Sequence, residues 1–398
     1  MRRETGRGIA LPHVMSLVII LGGCSPAASP VATPSIPPSP PTIAAPATPR
    51  PSTAAGFPTA AFAAISESPV SADVASKLQA TLHKLADGAG ASATLMSSDG
   101  TWSGATGKAD GVRDISVDDQ FAIASITKSV VAAQVMQLVE AGDLGLDDPA
   151  ADHLPPDLDF DTNRATIRQL LGHRSGLPGY DPARFDAGTQ ESPSSDRQRS
   201  WTLREMLAMV LPDRAPAGKT FEYTNTGYLV LGLVIEHTRG RPIAEVLRNG
   251  VLSIDGVDRL VYQPGEAPSA PMAMPFGKST DVLDEGGGFL PSLAAASSDG
   301  PAAAMASDSP SLARWWRAFC AGEIVSQASL TEMTTMHDGY GLGLYEPDPP
   351  GTVGHSGEHI GYMALAGCLP ARGAVVVVLS NAMIDTSAVA GPLLDALR

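Results

Sequence analysis

Cysteine is scarce in this chain: three in 398 residues, at positions 24, 320 and 368. That excludes a cysteine-rich zinc module and a densely cross-linked small scaffold. Aromatic residues make up only 5% and charged residues 17%, with basic side chains in deficit (27 Lys and Arg against 42 Asp and Glu). The resulting charge of −15 argues against a nucleic-acid backbone or an anionic lipid surface as partner, because both repel an acidic protein. No apolar run reaches the length of a membrane-spanning helix. No internal repeat is visible, and Gly-x-Ser-x-Gly is absent, so an α/β-hydrolase nucleophile elbow is excluded. The 43% hydrophobic content, on the other hand, suits a chain that builds a sizeable core.

The N-terminus has the grammar of export. Arg2, Arg3 and Arg7 precede a short apolar stretch, Val14 to Leu21, which runs into Leu21-Gly22-Gly23-Cys24. That ending resembles a bacterial lipobox, so residues 1–23 are expected to be a lipoprotein signal peptide and Cys24 the lipidated residue. The plainer alternative is an ordinary secretory signal with a chance cysteine. Removing residues 1–23 takes the charge from −15 to −17, since three arginines and one glutamate leave. Residues 25–58 hold 11 prolines in 34 positions among Ala, Ser and Thr, too little apolar surface to offset ordering entropy. Residues 24–61 are therefore expected to be a disordered tether and 62–398 the folded domain. The expected location is outside the cytoplasm, lipid-anchored to the cell membrane. Cys320 and Cys368 then form an even pair in an oxidising compartment, open to a disulfide or to two buried thiols.

Along the folded part, Val74, Leu78, Leu82 and Leu85 mark one face of a helix capped by Ser71. Ala91–Met96 and Thr101–Gly107 flank Ser-Ser-Asp-Gly as a hairpin. Helical spacing returns from Ser125 to about Glu140, in Thr166–Leu171 and Leu203–Val210, and in Thr226–Arg239 with Gly240 as its stop. Gly341–Tyr345, Tyr362–Cys368 and Ala374–Ser380 read as strands, and Leu393 to Leu397 as a closing helix. Strands at both ends with helices between predict one mixed sheet completed by both ends of the chain.

Three short motifs carry chemistry. Ser125-Ile126-Thr127-Lys128 is the sole Ser-x-x-Lys of the chain, and i, i+3 spacing on a helix brings an amine to a serine hydroxyl. A helix start also aims unpaired N–H groups at an oxyanion, although a serine there is commonly just an N-cap. Tyr223-Thr224-Asn225, the sole Tyr-x-Asn, places an acid–base phenol and a carbonyl-gripping amide on one side of an extended loop. The proximity of a lysine is expected to lower the Tyr223 pKa. The bland alternative is a turn capping the next helix. His355-Ser356-Gly357 puts a glycine beside an edge strand, where a substrate backbone can approach. The same region spells His355-x-x-Glu358-His359, the signature of an inverted zincin, which requires both histidines on one helical turn. Gly354, Gly357 and Gly361 argue against a helix there.

In this order and spacing the motifs resemble the serine β-lactamase, DD-peptidase and esterase superfamily, especially its class C-like branch. Leu170-Leu171-Gly172-His173-Arg174-Ser175-Gly176-Leu177-Pro178, Pro216–Asn225, Tyr340-Gly341-Leu342-Gly343 and Gly354–Tyr362 extend the resemblance over roughly Ala91 to Asn381. It implies an α/β protein of the α+β type, an antiparallel sheet with helices on both faces and a mostly helical subdomain, the site lying between. It implies a serine hydrolase forming an acyl-Ser125 intermediate on a D-amino peptide, an ester or, weakly, a β-lactam. Lys128 would help deprotonate Ser125 and Tyr223 would shuttle the proton. Asn225, His355, Ser356, Gly357 and Glu358 would bind substrate, with the N–H groups of Ser125 and Glu358 as oxyanion hole. No metal or cofactor is implied, and a monomer acting on a small molecule or peptide is expected. One departure matters: His355 stands where strong class C β-lactamases carry a lysine, and an unperturbed histidine is mostly uncharged at neutral pH. A non-catalytic binding lipoprotein of the same fold, or a zinc hydrolase using His355 and His359, are the alternatives.

Overall fold

The computed structural model describes residues 56–180, 198–263, 265–275 and 289–397. The signal segment, Cys24 and nearly all of the proline-rich tether lie outside the described residues. In chain order the strands are β1 (Ala91–Ser97), β2 (Gly100–Thr106), β3 (Phe121–Ala122), β4 (Val261–Tyr262), β5 (Met305–Ser307), β6 (Val353–His359), β7 (Tyr362–Leu369) and β8 (Ala374–Ser380). The main sheet runs β2-β1-β8-β7-β6, antiparallel throughout, so β1 from the first half pairs with β8 near the end. The short β3, β5 and β4 form a second sheet.

The helices are α1 (Thr59–Ala63), α2 (Ala72–Ala86), α3 (Thr127–Glu140), α4 (Ile167–Leu171), α5 (Leu203–Leu207), α6 (Thr226–Arg239), α7 (Ile243–Asn249), α8 (Leu293–Asp299), α9 (Ser309–Cys320), α10 (Gln327–Met333) and α11 (Thr386–Ala396). None of the described helices is long and apolar enough to cross a membrane. Among the described residues, Phe57 is the first that is buried, and it stacks on Phe62.

Alternation along β1 explains how both faces of the sheet are covered. Ala91, Ala93 and Leu95 join Leu78 and Leu82 of α2 and Leu393 and Leu394 of α11 in one apolar cluster. Ser92 and Thr94 point the other way, and their hydroxyls meet Ser309 Oγ of α9 at 2.8 and 2.9 Å. With helices on both sides, β8 has no solvent face, and every residue of Ala-Val-Val-Val-Val-Leu-Ser is buried. Each such valine or leucine contributes roughly 1.5–3 kcal/mol of apolar burial. Cys320 at the end of α9 is disulfide-bonded to Cys368 of β7, with Cα atoms 6.7 Å apart, which ties this helix layer to the sheet.

The local expectations hold where capping chemistry was visible. Ser71 accepts from Val74 N at the start of α2, and Gly240 ends α6 at φ +62°; Thr166, expected as the first helical residue, is instead the cap of α4, in a capping box with Gln169. Gly341–Tyr345 is not a strand. Gly343 sits at φ +78°, and a Cβ there would lie 2.3 Å from that of Ala132 in α3, so the backbone turns inward instead of extending. The closing helix is longer than expected, beginning at Thr386 behind the Asp385 cap.

Candidate active site

Strand β3 delivers the chain to Ala124, whose φ of +47° is unusual for a residue with a side chain. A 3₁₀ turn, Ala124–Ile126, follows and leads into α3. From Phe121 to Met136 every residue is buried except Ser125, which is half-exposed. The turn is held from below by Ile123 N donating to Met305 O (3.0 Å) and Met305 N donating to Thr127 Oγ1 (3.0 Å). Ser125 N–H, at the head of the turn, has no carbonyl to bond within it.

Lys128 is wholly buried beneath the serine. Its Nζ lies 3.0 Å from Ser125 Oγ, 2.9 Å from Asn225 Oδ1 and 2.9 Å from Ala302 O. Two of these three partners can only accept. When the amine is neutral its two protons go to Asn225 and Ala302, leaving the lone pair for the Ser125 proton. Burial lowers the lysine pKa to about 7, against the opposing pull of the Asp299 carboxylate. The neutral form is thus well populated near neutrality.

Tyr223 is half-buried, its ring 4.9 Å from Lys128 Nζ and its hydroxyl on the Ser125 side. Its pKa moves opposite to the sequence-based expectation. Desolvation pushes the phenol up and outweighs the lowering by the Ser125 hydroxyl, so Tyr223 keeps its proton. Asn225, at the cap of α6, spends Oδ1 on Lys128, and its Nδ2 is not used by any described hydrogen bond.

The far wall is β6, the edge strand of the sheet. A two-residue turn, Ile360-Gly361, makes His359 and Tyr362 a hydrogen-bonded pair, and the pattern then alternates along the hairpin. Glu358, opposite Met363, therefore points its N–H off the sheet edge, as Gly354 does in donating to Tyr345 O (3.0 Å). Gly357 is needed for close approach: a Cβ would fall 2.2 Å from Ile123 O and 3.1 Å from the Ala124 Cβ. The edge is in this way pressed against the serine turn. Ser356 Oγ bonds to the Tyr345 hydroxyl at 2.7 Å.

His355 is next to the groove but offers it nothing. Its ring is 2% exposed; Nδ1–H donates to Ser356 O (2.5 Å) and Nε2 accepts from the Tyr340 hydroxyl (3.0 Å). Burial and Lys128 lower its pKa to about 3, so it is neutral and supplies no positive charge for a substrate carboxylate. The expected substrate contact by this side chain is thereby corrected to a contact behind the site. The zincin reading fails on geometry, because His355 and His359 lie four residues apart on a strand, about 13 Å, instead of on one helical turn. His359 Nε2 pairs with Asp299.

Sequence reasoning assigned no role to Tyr340, Asp299 or His173. The last two could not be found from spacing, although His173 lies in one of the stretches that carried the resemblance.

The beta-lactamase family profile matches residues 78–397. The chain belongs to that family. Among relatives of this beta-lactamase-family protein, Penicillin-binding protein 4 of Amycolatopsis lactamdurans is 28% identical over 294 residues, covering 69% of this chain and 75% of that one. Penicillin-binding protein 4* of Bacillus subtilis is 25% identical over 298 residues, covering 69% of this chain and 63% of that protein. Among solved structures, D-amino acid amidase from Ochrobactrum anthropi SV3 complexed with D-phenylalanine superposes with a TM-score of 0.67 at 25% identity, covering 82% of this chain and 98% of the amidase. A penicillin-binding protein from Bacillus halodurans gives a TM-score of 0.64 at 24% identity, over 80% and 99% of the two chains, a likeness of fold.

Proposed function

We propose that this beta-lactamase-family protein is a serine hydrolase that cleaves amide or ester bonds of D-amino compounds through an acyl-Ser125 intermediate. The observation that carries the reading is the buried Lys128 amine, 3.0 Å from Ser125 Oγ and held by two acceptor-only neighbours. Neutral Lys128 takes the Ser125 proton as Oγ attacks the substrate carbonyl. The N–H groups of Ser125 and Glu358 receive the oxyanion. Tyr223, still a phenol, delivers a proton to the leaving group, and Lys128 returns one to the phenol. Water then hydrolyses the acyl-enzyme by the reverse relay. The unused Nδ2 of Asn225 donates to a carbonyl of the acyl group. These pKa directions favour Lys128 over Tyr223 as the acylation base.

The neutral, buried His355 weighs against β-lactams, whose carboxylate finds no cation at that position. The likeness to a D-amino acid amidase weighs in favour of D-configured amides and esters. Outside the fold, the lipobox-like Leu21–Cys24 and the proline-rich stretch after it support a lipid-anchored, extracytoplasmic enzyme on a tether. Purified protein assayed on D- and L-amino acid amides, p-nitrophenyl esters and a chromogenic cephalosporin tests the substrate class. A fluorophosphonate label located on Ser125, absent from Ser125→Ala, tests the nucleophile. Full turnover by Ser125→Ala overturns the mechanism.

A further inference from the structure

Beneath Tyr223 lies a histidine that the relay does not use. His173 is 2% exposed and sits at φ +54°, a left-handed conformation that costs a branched or bulky residue roughly 1–2 kcal/mol and is retained where surroundings impose it. Its backbone carbonyl accepts from Glu222 N at 2.9 Å, and its Nδ1 accepts from Thr224 N at 3.4 Å. These two bonds bracket Tyr223. The imidazole also packs against the Tyr223 ring, centroid to centroid 4.2 Å, with Tyr340 at 4.7 Å and Tyr228 at 5.3 Å on its other sides. Because Nδ1 accepts, the ring proton is on Nε2, which has no hydrogen-bonding partner among the described residues. A buried donor left unpaired costs about 1–3 kcal/mol, a penalty that an apolar ring here would avoid. Burial and the neighbouring Lys128 hold the imidazole neutral, so it adds no second positive charge under the site.

We infer that His173 is the positioning residue for Tyr223: by gripping the backbone on both sides of it and seating its ring, His173 holds the phenol where it can protonate the leaving group. This rests on the reading of Ser125 as an acylated nucleophile. It explains a residue type as well as a position. Asparagine would supply the acceptor but no seat for the ring, and phenylalanine would supply the seat but no acceptor.

Leaving-group dependence tests this. An amine cannot leave without a proton, whereas p-nitrophenolate can, so a misplaced Tyr223 should slow acylation, the step that kcat/KM reports, only for the amine leaving group. His173→Asn tolerates the left-handed backbone and keeps an acceptor for Thr224 N–H. In this variant kcat/KM on a p-nitroanilide should fall about 100-fold, and on the p-nitrophenyl ester of the same acyl group no more than about 3-fold. The loss should lie in kcat with KM nearly unchanged. Fluorophosphonate labelling of Ser125, which expels fluoride, should keep its wild-type rate. Tyr223→Phe should show the same selectivity, and His173→Asn should cost nothing further on that background. Equal losses on both substrates, or an added loss in the double variant, overturn the inference. His173→Phe serves if His173→Asn does not fold, with a smaller loss of the same pattern. If neither variant folds, His173 is a stability residue and the inference is wrong. Wild-type protein that neither labels at Ser125 nor turns over either substrate refutes the underlying reading instead.

Discussion

Replacing Lys128 with methionine should separate the energetic cost of the buried amine from its catalytic use. The side chain is wholly buried, and its pKa falls from an ordinary 10.5 to about 7. Between those values the unfolded chain holds a proton that the folded protein lacks, so stability must rise with pH. Each pH unit in that window is worth about 1.4 kcal/mol, which gives about 3 kcal/mol from pH 7 to 9 and about 5 kcal/mol over the whole interval. Below pH 7 both states are protonated and the contribution is flat at its least favourable level. Lys128→Met is isosteric to a first approximation and does not titrate. The measurement is the difference in unfolding free energy between wild type and Lys128→Met, from urea denaturation at pH 6, 7, 8 and 9. Titrating groups that Lys128 does not reach cancel in that difference, and burial alone still disfavours the charged forms of His355 and His173 in the variant. Wild type should gain on the variant by about 3 kcal/mol between pH 7 and 9 and by little between pH 6 and 7. In parallel, wild-type kcat/KM should fall about tenfold per pH unit below 7 as the amine protonates, and the variant should lose about 10²–10⁴-fold at pH 8. A stability difference that does not change with pH would refute the argument that burial sets the lysine pKa.

Gly357→Ala forces a Cβ into Ile123 O and should part the strand edge from the serine turn, lowering kcat about 10²–10³-fold while circular dichroism shows the fold intact. Removing the disulfide by Cys320→Ser with Cys368→Ser opens a loop of 48 residues and should cost about 2–4 kcal/mol in urea unfolding, with kcat unchanged at 25 °C. Cys24→Ala should shift the protein from the membrane fraction to the soluble fraction with the same specific activity on a small ester. Wild type found free in the medium, with another N-terminus, would refute the anchor.

The fold was legible where local chemistry and period coincide. Ser71 and Gly240 announce helix ends, and the apolar, β-branched run of β8 reads as a strand. The convergence of Ser125 and Lys128 follows from helical spacing alone. What spacing could not show are the consequences of burial. Nothing in the residue order reveals that Tyr223 is desolvated enough to raise its pKa against the pull of Ser125, or that His355 turns its ring inward to Tyr340. Gly341–Tyr345 looked extended because its composition suits a strand. Its course is decided by Ala132 and the Lys128 backbone, which lie more than two hundred residues earlier.

The pairing of β1 with β8 also sets an order of events in time. Residues 91–96 wait for partners at 375–380, so a ribosome must finish almost the whole chain before the sheet can close. Until then β1 and β2 are a hairpin with one open side, and isolated hairpins are marginal in water. Contacts this distant in sequence slow folding and lengthen the life of an open chain. For a protein that carries an export signal, as proposed here, that delay is serviceable: the chain remains threadable through a translocation channel until its last strand has been delivered to the far side.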